Sequence, residues 1–316
     1  MPDPPDPIRA IGISLGAGVF GAIQPDINAA LGEHLGSSLL AALVNFLVAL
    51  LVATLVVSRR PGTRHHLRAV SDWPTPWWTR AAGLGGAMVV LAGVVTVERL
   101  GVAVFSIAFF AGQMSFGLVV DRLGIAPGGR RPITAARATA VGLAMAAVVL
   151  SQAGRSVGDV EPAFVVFVVA AGAASAVQSA CNGRISVAIG DPVAATALNV
   201  VVGTLCLASI TGAAAVGGAI DSPTWPTEPW LYLGGVLGVS IVLALAMATA
   251  AIGVLRTTLA MLAAQLVTAF VVDRVARDEP PTAGAIVAAL LIVVAVSLVN
   301  RTPAVGGPRG AQQSVA

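Results

Sequence analysis

Residues 16–45 read GAGVFGAIQPDINAALGEHLGSSLLAALVN, and residues 170–199 read AAGAASAVQSACNGRISVAIGDPVAATALN. Gly18, Gln24, Asn28, Gly36 and Asn45 punctuate the first stretch. Gly172, Gln178, Asn182, Gly190 and Asn199 punctuate the second, each 154 residues later. Glycines and amides are poor choices against lipid, where a polar group must find its partner inside the protein. Two copies of one unit are the simplest explanation of their recurrence inside apolar runs. The copies are expected to build one polar cavity between them.

Composition sets the class. The 316 residues are 57% hydrophobic and 10% charged, with a mean hydropathy of +0.90. A soluble domain carries about 25% charged residues, so the chain reads as a membrane protein. Stretches such as Leu39–Val57 and Ala285–Val299 do not alternate in polarity. They read as helices and not as strands of a barrel. The net charge of +3 comes from basic residues scattered between spans, which points to membrane orientation and away from nucleic acid. The N-terminus lacks a basic region before the first apolar run, which is expected to stay as a span. Cys181 and Cys206 fall inside apolar runs and read as packing residues. No metal, cofactor or catalytic constellation is expected, and no enzyme activity.

Ten spans follow: 8–30, 37–57, 78–97, 101–120 and 133–151, then 162–185, 192–216, 230–251, 254–272 and 282–299. All 18 basic residues are Arg. With the N-terminus inside, 14 of them lie on the cytoplasmic side and four, Arg99, Arg155, Arg274 and Arg277, outside. That excess predicts a multi-pass protein of the plasma membrane with both termini cytoplasmic.

The repeat continues beyond the opening pair. Trp77 and Gly85 recur as Trp230 and Gly238, 153 residues on; Gly101, Gln113 and Asp121 recur as Gly253, Gln265 and Asp273, 152 residues on. Five spans per copy is an odd number, so the second copy must enter the membrane from the opposite side. The expected fold is all-α: ten transmembrane helices in two inverted five-helix repeats, residues 1–152 and 153–316.

Gln24-Pro25-Asp26-Ile27-Asn28, the run Leu39–Phe46, Ala111-Gly112-Gln113 and Asp121-Arg122-Leu123-Gly124 resemble the YdcZ-like branch of the drug/metabolite transporter (DMT) superfamily. The resemblance implies two inverted five-helix halves and alternating access around a central cavity. Asp26 departs from the branch, which usually has an uncharged residue there.

Gln24 and Asn28 share a helix face, and Pro25 cannot donate to the carbonyl of Gly21, so a kink is expected there. Substrate-binding candidates are Gln24, Asn28, Asn45, Gln113, Gln178, Asn182, Asn199 and Gln265; the alternative is that these amides only tie helices together. Asp26 is the candidate for coupling to a proton or another ion, although its depth argues for the outer interface. Asp121 and Asp273 read as interfacial anchors paired with the following Arg. Trp73, Trp77, Trp78, Trp225 and Trp230 read as headgroup-belt residues, and His65 and His66 as solvated. The expected activity is secondary-active export of a small polar or drug-like solute by a monomer or homodimer in contact with lipid. The alternatives are a channel or pore, an integral-membrane enzyme, and a non-catalytic integral membrane subunit.

Overall fold

The computed structural model describes residues 6–152, 160–220, 223–276 and 283–300. Arg155, Arg277, Arg301 and Arg309 lie outside the described residues, as does the side chain of Asp273. The helices are α1 (Pro7–Leu35), α2 (Ser38–Ser58), α3 (Pro61–Arg68), α4 (Gly83–Leu123) and α5 (Ala135–Ser151), then α6 (Pro162–Ile189), α7 (Pro192–Val216), α8 (Leu233–Ile252), α9 (Val254–Ala276) and α10 (Ala283–Asn300). Among the described residues, seven segments are long and apolar enough to cross a membrane. One of them, Trp77–Leu123, has 47 residues, and two shorter apolar helices, Ala135–Ser151 and Ile286–Val299, accompany them. At ~1.5 Å per residue the 47-residue segment is about twice the ~30 Å of hydrocarbon.

Local chemistry explains the boundaries. The recurrence of Gly36 and Gly190 is a turn signal. Each glycine ends a helix with a positive φ, 66° and 68°, which a side chain would strain. The next residue caps the following helix: the Ser37 side chain accepts from the Leu40 N–H, and Asp191 accepts from Val193 and Ala194. Gly101 (φ 77°, ψ 154°) and Gly253 (φ 84°, ψ 168°) share one non-helical conformation. Gly101 breaks α4 into two limbs, and Gly253 parts α8 from α9. The weak divisions expected at residues 98–100 and 252–253 are therefore single-glycine breaks and not loops. α1 continues helically through Pro25 to Leu35, five residues beyond the expected end.

Packing crosses between the two stretches of sequence. α1 lies against α8 and α9, α6 against α4, α2 against α7, and α5 against α10. The tightest crossings use glycine: a Cβ on Gly18 would overlap the Met261 carbonyl of α9, and one on Gly172 the Phe109 carbonyl of α4. The largest apolar cluster joins Met114, Ala140, Ala144 and Ala147 to Leu255, Leu259 and Ile292.

The segment between α2 and α4 departs from expectation. Its histidines are expected to be solvated, but the segment forms α3 and closes over the α6–α7 turn. Trp73 is not a belt residue. It is 5% exposed, packs on Ile185, Ala194 and Ala195, and donates Nε1–H to the His66 carbonyl. His66 is not simply solvated either, since its Nδ1 lies 3.1 Å from Asp191 Oδ2. Burial alone would raise the Asp191 carboxyl, but hydrogen bonds from Thr63, His66 and the Ala194 and Val193 N–H groups hold it below the usual aspartate range. Trp77, Trp78, Trp225 and Trp230 all keep exposed surface.

Candidate substrate site

The described contacts gather the amides into two groups, not one. In the first, α1 and α2 meet α8. Asn45 Nδ2 donates to Asn28 Oδ1 at 2.9 Å, and Gln24 Nε2 donates to the Gly234 carbonyl at 2.9 Å. In the second, α6 and α7 meet the first limb of α4. Asn199 Nδ2 donates to Asn182 Oδ1 at 3.3 Å, and Gln178 Nε2 donates to Asn199 Oδ1 at 3.3 Å. Asn45, Asn182 and Asn199 are buried, and Gln24, Asn28 and Gln178 half-buried. Interhelical amide bonds in a membrane protein are worth about 0.6–2 kcal/mol each, so either group could hold helices together as well as meet a ligand.

Glycines on the opposing helices make room for each group. Gly235 sits against the Asn45 carbonyl, and Gly83 against the Asn199 carbonyl. Gly238 faces the Gln24 amide at 2.7 Å from an added Cβ, and Gly85 and Gly86 both face the Gln178 amide, at 2.9 and 3.4 Å. Gly83 and Gly235, which meet equivalent carbonyls, are 152 residues apart. Phe46 lies between the groups. Its ring presses on Gly203 and comes within 3.7 Å of a Cβ at Gly86.

The remaining candidates, Gln113 and Gln265, take equivalent places. Gln113 is buried and donates Nε2–H to Ser175 Oγ at 3.1 Å. Gln265 faces Gly21, with Oε1 3.6 Å from an added Cβ. Ser175 and Gly21 are themselves 154 residues apart. Ser175 escaped sequence reading, although its place three residues before Gln178 puts both on one face. Gln24's partner is a backbone oxygen, which no side-chain pattern reveals. Asp26 is exposed on α1 and lies two residues from both Gln24 and Asn28, so it points away from that group. A cavity of about 210 Å³ borders Gln178, Cys181, Trp78, Ala81, Ala82 and Gly85.

Asp121 does not pair with Arg122 as expected. It is 1% exposed and binds Arg137 Nη2 at 2.5 Å. Its carboxylate also accepts from the Val254 and Leu255 N–H groups, which caps α9 just past the Gly253 break. Arg131, in the loop before α5, donates Nη1–H to the Ile252 carbonyl at 2.5 Å. Burial, together with neighbouring Arg137 but against the pull of Asp121, lowers the Arg131 pKa below its ordinary value.

A family model described as "Putative inner membrane exporter, YdcZ" matches residues 10–150 and 163–298. The chain belongs to this DMT YdcZ family. It is therefore a multi-pass membrane protein of a transporter family, as its apolar helices also indicate. No curated protein matches the chain. Twenty-four chains of solved structures do. One, called "Crystal structure of protein", superposes with a TM-score of 0.63 at 17% identity, over 92% of this YdcZ-family chain and 94% of that one. At that identity the likeness speaks for the fold alone.

Proposed function

We propose that the protein is a secondary-active exporter of a small polar solute, working by alternating access between two inverted halves, residues 1–152 and 153–316. The observation that carries this is the duplicated amide geometry: Asn28–Asn45 against α8 and Asn182–Asn199 against α4. Direction supports the inversion. α2 starts at the Gly36–Ser37 turn, and its far end leads into α3, which packs over the Gly190–Asp191 turn where α7 starts. The two turns thus lie at opposite ends, and α2 runs antiparallel to its counterpart α7. Two matched segments of near-equal length support the same division. Counting the two limbs of α4 separately and α3 as a surface helix gives ten crossings, with both termini cytoplasmic by the arginine excess.

In this reading Gln24, Asn28, Asn45, Gln113, Gln178, Asn182, Asn199 and Gln265 bind the solute, and one half rocks against the other. Asp26 stays the candidate coupling group as the carboxylate set within an apolar run. The test is uptake of a solute panel by proteoliposomes, with and without a proton gradient. Solute accumulation that Asn45→Leu and Asn199→Leu abolish supports the proposal. Solute-independent leak supports a pore instead, and no flux of any solute refutes transport by the chain alone. If Asp26→Asn leaves proton-driven flux unchanged, coupling does not run through Asp26.

A further inference from the structure

The two amide groups match in sequence but not in their hydrogen bonds. On the second, Gln178 Nε2 covers Asn199 Oδ1. On the first, Gln24 bonds to the Gly234 carbonyl of α8, and Asn45 Oδ1 is left buried with no hydrogen-bond partner among the described residues. Asn45 is 6% exposed, and an acceptor at that depth is costly to leave unmet. One glutamine is therefore bonded to its asparagine and the other is turned away from it, leaving an acceptor that is unpaired but enclosed.

We propose that Asn45 Oδ1 and Asn199 Oδ1 are equivalent acceptors offered in turn to an N–H donor of the transported solute, and that Gln24 and Gln178 are the shutters that uncover one while covering the other. This rests on the transporter reading and adds the substrate chemistry and the gating of its site. The ligand group is defined by what fills the same place in the other half, a primary amide NH2. An amide or ammonium N–H of the solute replaces it. When the halves exchange conformations, Gln24 closes on Asn45 and Gln178 releases Asn199.

The third-span helices carry the asymmetry that sets which state prevails. A Cβ on Gly234 would overlap Asn28 Oδ1 and lie 2.6 Å from Asn45 Oδ1. The residue 152 positions earlier is Ala82, whose methyl is accommodated beside the 210 Å³ cavity. After exchange, residue 234 would occupy the roomy place and residue 82 the cramped one. Gly at 234 with Ala at 82 therefore favours the state described.

The test reads conformation without any solute. Cys181 is 1% exposed, while Ile27, 154 residues earlier, is half-buried. Exchange puts Cys181 into the more open environment. In a Cys206→Ser background, N-ethylmaleimide should label Cys181 slowly. Gly234→Ala should speed labelling, and Ala82→Gly/Gly234→Ala should speed it by about tenfold, as expected for a minor state made dominant. A double variant that melts near its parent yet labels at the parent rate overturns the exchange. If Gly234→Ala does not fold, Ala82→Gly alone must raise the rate, and failure to do so overturns it equally. For the donor chemistry, acetamide should raise the melting temperature saturably, and N,N-dimethylacetamide, which lacks an N–H, should not. The acetamide effect should vanish in Asn45→Leu/Asn199→Leu. Equal effects of the two probes overturn the N–H assignment. Labelling that responds while proteoliposomes move nothing would sink the transporter reading and leave the exchange standing; flux with unresponsive labelling would do the reverse.

Discussion

Removing the Asp121 carboxylate should be among the most damaging single changes in the molecule. The side chain is 1% exposed and its partner Arg137 8%. Losing one member of a buried ion pair costs about 3–5 kcal/mol, because the other charge stays buried alone. Arg137 would not be wholly stranded: its Nη1 still reaches the carbonyls of Arg131 and Pro132 at 3.3 and 3.1 Å. That favours the low end of the range. Against it, the Val254 and Leu255 N–H groups lose their cap, a further cost of about 1 kcal/mol. Asp121→Ala is thus expected to lose about 3–4 kcal/mol, more than a hundredfold in the unfolding equilibrium. Asp121→Asn keeps an acceptor for Val254 and should lose roughly half as much. Unfolding of the purified protein in mixed micelles, titrated with sodium dodecyl sulfate, measures both. Arg137→Ala and the double variant complete a cycle, in which the double should cost at least about 1.5 kcal/mol less than the sum of the singles. A loss below about 1 kcal/mol for Asp121→Ala, or a cycle additive to within about 0.5 kcal/mol, would refute the buried-pair account.

Gly253→Ala should destabilise the protein relative to its parent. Its φ is positive, and a Cβ there would strike the Arg131 guanidinium. Arg131→Ala should recover part of the difference in the same titration. Trp73→Ala should cost about 3–5 kcal/mol as a buried aromatic, and it should loosen the α3 segment first, seen as faster proteolysis after Arg64 or Arg68. Asp191 is held below the usual aspartate range, so its contribution to stability is complete above that range and is lost as pH falls through the lowered value. Melting curves from pH 7 downward should show that loss, and Asp191→Asn should lower the neutral plateau while flattening the acid descent.

How far the sequence could be read depended on whether a residue's role is symmetric and local. Helices, turns and breaks were legible because glycine and capping side chains act within a few residues: Gly36-Ser37, Gly190-Asp191, Gly101 and Gly253 each mark a boundary by their own geometry. Asn28 with Asn45, 17 residues apart, and Asn182 with Asn199 at the same spacing, were legible as a recurrence. What they touch was not, because the contacting surface is the bare backbone of Gly234, Gly235 and Gly83 on a distant helix. The burial of Trp73 is hidden from the sequence for a related reason. Its neighbourhood is polar and basic, so composition suggests a headgroup, whereas burial comes from Ile185, Ala194 and Ala195 more than 110 residues later. Asp121 was read correctly as the end of a span but paired with the wrong arginine. Neighbours in a helix point apart by about 100°, and the arginine that can turn back onto Asp121 is 16 residues on, at the start of α5. That Gln24 bonds to the Gly234 carbonyl while Gln178 bonds to Asn199 was not legible from the amides themselves. The recurring amides are identical in the two stretches, and the difference beside them, Gly234 against Ala82, gains its meaning only from what a Cβ would meet at each place.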